Sequence, residues 1–262
     1  MRAPDWDLEG IRLILTVTPG RSGTGFLCEL LRAVPAIHSA HEPEPKFSHL
    51  MRAVQHDAAI ARQFWLSQKL PAIRRCARST YVETSHLACK GFIEPLIENG
   101  CPPDLIVLER DPFLVATSLL SLATIPGRTP LGNQFLLRPD DPSVLSLDNW
   151  QELPDWALCF WYCREIERRM EMYTNVIRER GRRVMTTSIT RLQTDDGTRR
   201  LLGFVGANDN LLTDTGFLAR RNEKVNQKTE MKRPGGTFLS AQEMVNWANE
   251  VDTRLAARRS QF

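Results

Sequence analysis

No apolar run in the 262-residue chain approaches the roughly 18 residues that a membrane-spanning helix needs, so a helical membrane protein is not expected. Residues 1–10, MRAPDWDLEG, carry three acidic groups and lack an apolar h-region, so no signal peptide is expected either. Charge of one sign is not in excess. The 34 basic and 31 acidic residues leave +3, which is too mild to argue for nucleic acid. It still allows a local basic site for an anionic ligand. Internal repeats and low-complexity tracts are absent. The six cysteines (Cys28, Cys76, Cys89, Cys101, Cys159, Cys163) are scattered, and only Cys159 and Cys163 lie close together, at i, i+4. That spacing could contribute half of a metal site, but no second Cys/His pair accompanies it. Buried structural thiols in a reducing compartment are the expectation, with no metal.

What is present is ordinary for a globular protein: 42% hydrophobic and 25% charged residues. The length suits one large domain, 1–262, with a sizeable core. Short apolar runs read as buried strands at 11–17, 36–42, 79–85, 104–110 and 182–188. Helical periods fall at 25–34, 48–78 (broken near Pro71), 92–100, 112–123, 150–181 (starting near Pro154), 192–206 and 240–259. The last opens with Ser240 and Glu243 in a capping-box pattern. Residues 124–149 hold four prolines without a period and read as a long loop. Alternating strands and helices predict an α/β fold with a mainly parallel central sheet flanked by helices in three layers.

The first strand runs into TPGRSGTGFL (18–27) and then a helix. A strand, a glycine-rich turn and a helix in that order present backbone N–H groups and a positive helix end to an anion. Arg21 adds a charge, and Ser22 and Thr24 add hydroxyls. A Walker A loop would continue with Lys and Ser/Thr after Gly25, but Phe26 and Leu27 follow. A dinucleotide fingerprint would place a third glycine where Cys28 stands. A second stretch, LIVLERDPFLVATSLL, ends a strand at Arg110 and places Ser118 eight residues later on a helix.

These two motifs together resemble sulfotransferases that use 3′-phosphoadenosine 5′-phosphosulfate. The resemblance is specific over 11–45 and 104–122 and implies a P-loop NTPase-like architecture and a cytoplasmic, bacterial enzyme. It implies that Gly20, Arg21, Ser22, Gly23, Thr24, Gly25 and Phe26 hold the 5′-phosphate and sulfuryl group, and that Arg110 and Ser118 hold the 3′-phosphate. Arg21 stands where many members have Lys. A basic C-terminal segment closes over the nucleotide in the family; Arg220 and Lys228 are the residues named for it here, although the usual R-K-G-x-x-G spelling is missing. The resemblance further implies a glutamate base at the end of the second strand, where Glu42 stands, with His41 and Glu44 as near alternatives.

In YVETSHLACKG some carbohydrate sulfotransferases have a KTP-like triplet; the departure leaves Glu83, Ser85 and His86 as residues that could touch the acceptor. His86 joins Glu42 and Arg21 as the candidate catalytic set; Lys90 could be a cation reaching the site, with a solvated lysine as the favoured reading. Asp140-Asp141 and Asp195-Asp196 read as solvated turn residues. The acceptor is expected to be a small molecule or glycan, lined by 43–78 and 124–149 with Phe47, Trp65, Phe135, Trp150, Arg52, Arg62, Arg128 and Arg138. A homodimer is allowed. The rival readings are a P-loop kinase-like phosphotransferase, which the missing Lys and Ser/Thr disfavour, and a non-catalytic adenosine-bisphosphate-binding module.

Overall fold

The computed structural model describes residues 6–76, 78–222 and 239–259. The chain forms two compact units, Met1–Glu109 with Arg169–Gln227, and Arg110–Arg168 with Lys228–Phe262. The first unit holds a five-stranded sheet of β1 (Arg12–Val17), β2 (Ile37–Ala40), β3 (Thr80–Glu83), β4 (Asp104–Glu109) and β5 (Val184–Ser188). The spatial order is β2-β3-β1-β4-β5, and every neighbouring pair is parallel. The fold is therefore α/β with an all-parallel central sheet flanked by helices. β1 and β4 are apolar on both faces because helices cover a parallel sheet on both sides.

The first helix, α1 (Thr24–Arg32), packs Phe26, Leu27, Leu30 and Leu31 onto Ile14, Val82 and Ile106 of the sheet. Then follow α2 (Met51–Val54), α3 (Ala58–Phe64), α4 (Leu70–Arg74) and α5 (Glu94–Glu98). The expected break at Pro71 is replaced by something subtler. Trp65–Lys69 is a π turn that joins α3 to α4 without interruption. Proline lacks an N–H and crowds the carbonyl one turn back; the wider π turn accommodates both.

In the second unit are α6 (Pro112–Ser121), α7 (Pro130–Phe135) and the start of α8 (Asp155–Glu179). α7 lies inside the stretch expected to be irregular. Thr129 caps it by accepting from the Gly132 N–H at 3.1 Å, with Pro130 in the first turn. α8 begins just after Pro154, as its sequence suggests. Its Cys159 and Cys163 are buried, with their thiols directed at the carbonyls of Thr124 and Pro112. Asp141 is not a solvated turn residue: it is buried and accepts from the Arg138 N–H at 2.8 Å.

The remaining helices are α9 (Ile189–Leu192), α10 (Asp195–Val205) and α11 (Thr215–Asn222) of the first unit and α12 (Ala241–Arg259) of the second. α10 and α11 add Leu201, Leu202, Val205 and Phe217 to the core beneath the sheet. Asp195 and Asp196 sit in the first turn of α10, not in a loop, which favours negative charge. The capping box of α12 is formed: the Ser240 hydroxyl and N–H both donate to Glu243 at 2.7 Å, and the Glu243 N–H returns to Ser240 Oγ at 3.3 Å. No helix among the described residues is long and apolar enough to cross a membrane.

Candidate functional site

Three adjacent strands, β2, β3 and β1, end at one edge of the sheet, β2 and β3 together and β1 two residues further on. Ala40 faces Glu83, and Glu83 faces Leu15. The segments that leave this edge carry the chemistry: the glycine loop after β1, His41-Glu42 after β2, and residues 84–90 after β3. Hydrogen bonds stitch them together. The Thr84 N–H donates to the Ala40 carbonyl at 2.9 Å, and Thr16 Oγ1 donates to the Ser85 carbonyl at 2.9 Å. His41 Nδ1 lies 2.6 Å from the Thr84 carbonyl, which can only accept, so that nitrogen carries the proton.

The glycine loop turns by three left-handed residues, Gly20 (φ 84°), Arg21 (φ 57°) and Gly23 (φ 89°). Gly23 is also the N-cap of α1, where no side chain caps the helix and no acidic residue sits in the first turn. The first N–H groups of a helix have no intrahelical acceptor, and those of Thr24, Gly25 and Phe26 are met by no side-chain cap. A carboxylate cap here would compete with an incoming anion. Ser22 is spent on the loop itself: it is buried and its hydroxyl donates to the Gly20 carbonyl at 3.0 Å. Phe26 points into the core, so it can serve a ligand only through its N–H. Thr18 Oγ1, at the mouth of the loop, is buried without a hydrogen-bond partner. Amide, hydroxyl and guanidinium donors with no carboxylate within the loop suit an oxyanion.

His86 lies directly on this loop. A Cβ placed on Gly20 would sit 3.1 to 3.3 Å from three atoms of its side chain. Its Nε2 faces Glu42 Oε1 at 3.5 Å, and its Nδ1 lies 3.0 Å from Lys90 Nζ. Glu42 holds its place on a left-handed backbone (φ 47°), a conformation that costs energy in a residue with a side chain and that clusters at functional sites. Burial, then the charges of Lys90, His41 and Arg21, hold the His86 imidazole well below the ordinary histidine range, so it is neutral at pH 7. Lys90 is fully buried, not solvated as its sequence suggests. Burial pushes its ammonium down to about 7, with Arg169 and Arg52 adding to the effect and Cys89 and Glu42 opposing it.

The turn that carries His86 and Lys90 is held by its surroundings. Gln55 Nε2 donates to the Lys90 carbonyl at 2.8 Å, and Arg169 Nη1 and Tyr173 Oη donate to the Cys89 carbonyl at 3.1 and 3.3 Å. One signal in the sequence points to Lys90: it stands four residues after His86, a helical-turn spacing.

Other expected residues fall elsewhere. Glu83 lies inside the protein. It is fully buried against Lys69 Nζ at 2.8 Å and accepts from Tyr81 Oη at 3.1 Å. Ser85 is buried too, its hydroxyl accepting from the Leu87 N–H. Glu44 is exposed and pairs with Lys46 at 3.3 Å. Phe47 and Trp65 do not line a cavity; they are core residues packed with Phe64 and Phe92. In the second unit, Arg128 is occupied with Asp155 and the carbonyls of Gln151 and Leu153, and Arg138 with Asp140. Arg110 follows the last residue of β4 and is exposed; Ser118 is half-buried on α6. Arg220 is exposed near the end of α11, and Lys228 lies outside the described residues.

No protein-family model matches the chain, and no curated protein does. Among the described residues there is no group of three or more His, Cys, Asp or Glu side chains placed to hold a metal ion.

Proposed function

We propose that the protein is a sulfotransferase that moves the sulfuryl group of 3′-phosphoadenosine 5′-phosphosulfate to a hydroxyl or amine of a small-molecule or glycan acceptor. One observation carries the reading. A glycine loop without a carboxylate and a glutamate on a left-handed backbone emerge from β1 and β2, the two strands that flank β3 at one parallel sheet edge, and His86, which follows β3, lies against both. Ligands of open α/β sheets bind at the carboxyl ends of the strands, which is this edge.

In this reading the N–H groups of Gly20 to Phe26 and Arg21 bind the 5′-phosphate and the sulfuryl oxygens. They neutralise charge as the acceptor oxygen attacks sulfur in line and the bond from sulfur to the 5′-phosphate oxygen breaks. Glu42 takes the acceptor proton. Arg110 and Ser118 as 3′-phosphate ligands, and Arg220 and Lys228 as closing cations, enter through the resemblance of their sequence alone.

The test is Glu42→Gln. It keeps the size of the side chain but cannot accept a proton, and loss of a general base costs on the order of 10²–10⁴ in rate. Turnover should fall by that factor while affinity for adenosine 3′,5′-bisphosphate is unchanged. Near-normal turnover in Glu42→Gln, with loss in His41 or His86 variants, would move the base to another residue.

A further inference from the structure

We infer that Lys90 is a positioning residue that acts through His86 on Glu42: its ammonium fixes His86 in the Nε2–H tautomer, and that proton points at the Glu42 carboxylate. The inference deepens the proposed function and rests on it for its catalytic meaning. The geometry itself does not depend on which reaction is catalysed.

The three side chains form a line: Lys90 Nζ, 3.0 Å to His86 Nδ1, then His86 Nε2, 3.5 Å to Glu42 Oε1. An ammonium can only donate, so His86 Nδ1 accepts and its proton resides on Nε2. The reverse arrangement would set an Nε2 lone pair against a carboxylate. Charge supports the same assignment. Burial, then the charges of Lys90, His41 and Arg21, disfavour a second proton on the His86 ring, so the ring is held neutral and is no proton acceptor for the reaction. Arg52 and Arg169 face Lys90 as well, with Cys89 and Glu42 opposing them. Lys90 is a buried cation among other cations, on a turn pinned by Gln55, Arg169 and Tyr173, with its ammonium in contact with His86.

The consequence is a division of labour. Glu42 is the base, His86 orients it by facing it with an N–H, and Lys90 decides which nitrogen bears that N–H. The ring also lies against Gly20.

The experiment is long-range ¹H–¹⁵N NMR of the full chain labelled at its five histidines, with His86 assigned through His86→Asn. At about pH 5.5, more than a unit below the value near 7 at which Lys90 loses its proton, wild-type His86 should be neutral with a protonated Nε2 and a bare Nδ1. In Lys90→Met the single tautomer should be lost and the ring should titrate at higher pH. A misplaced reacting group costs about a hundredfold, so kcat should fall by that order with KM for the sulfuryl donor little changed. Lys90→Gln, which retains a donor, should recover part of the loss. A wild-type His86 carrying its proton on Nδ1 would overturn the inference outright, and needs no variant to fold. So would a Lys90→Met protein with unchanged His86 signals. Failure of the wild type to transfer any sulfuryl group would instead contradict the proposed function, while the tautomer would still be measured.

Discussion

Two buried lysines show how differently one residue type can be used. Lys69 and Glu83 are both buried and form a 2.8 Å pair, and Lys69 Nζ also donates to the carbonyl of Pro45 at 2.9 Å and lies 4.5 Å from the centre of the Phe47 ring. This cluster ties the segment after Glu42 to the sheet. Removing one partner of a buried pair leaves an uncompensated charge and costs about 3–5 kcal/mol. Lys69→Met should therefore lose stability of that order in urea denaturation, and Lys69→Met/Glu83→Gln should regain much of it; an unchanged single variant would show the pair to be idle. Lys90 carries a pH signature instead. Its folded-state affinity for a proton, near pH 7, is far below the ordinary lysine value of about 10.4. The unfolded chain then binds more protons between those values, so wild-type stability relative to Lys90→Met rises with pH from about 7 to about 10 and is flat below. Thermal melts of both proteins across that range check the sign.

At the scale of elements, the glycine loop is set by packing as much as by backbone freedom. A Cβ on Gly23 would sit 2.4 Å from two side-chain carbons of Ile189, on a residue with φ 89°. Overpacking and strain of this kind cost about 1–3 kcal/mol, so Gly23→Ala should lose that much in chemical denaturation and lose adenosine-bisphosphate affinity with it. The loop, the strands and the capping box of α12 were legible because each is written locally, in an apolar run, a glycine spacing or a Ser-x-x-Glu. The π turn at Trp65–Lys69 was not, since it follows from accommodating Pro71 within a continuous helix. Nor was the burial of Lys90 or Glu83. A charged side chain in a loop-like sequence reads as solvated until the fold supplies its partner, and Lys69 lies fourteen residues from Glu83. Phe47 and Trp65 failed for the same reason: aromatic residues in a variable segment resemble a pocket lining, and here they close a core.

At the scale of the whole molecule, the first unit carries the anion loop, Glu42, His86 and Lys90, and the second carries Arg110 and Ser118. The sequence resemblance assigns the donor's 3′-phosphate to the latter two, and that assignment, if it holds, is what distinguishes the proposed sulfotransferase from a kinase-like phosphotransferase. The most direct measurement is calorimetric titration of the full chain with adenosine 3′,5′-bisphosphate and, separately, with AMP. A hydrogen bond to a charged group contributes about 1.5–3 kcal/mol, so the bisphosphate should bind at least tenfold more tightly than AMP, and Arg110→Ala should reduce that preference by the same factor. Equal affinity of the wild type for the two nucleotides, or no binding of either, would contradict the account.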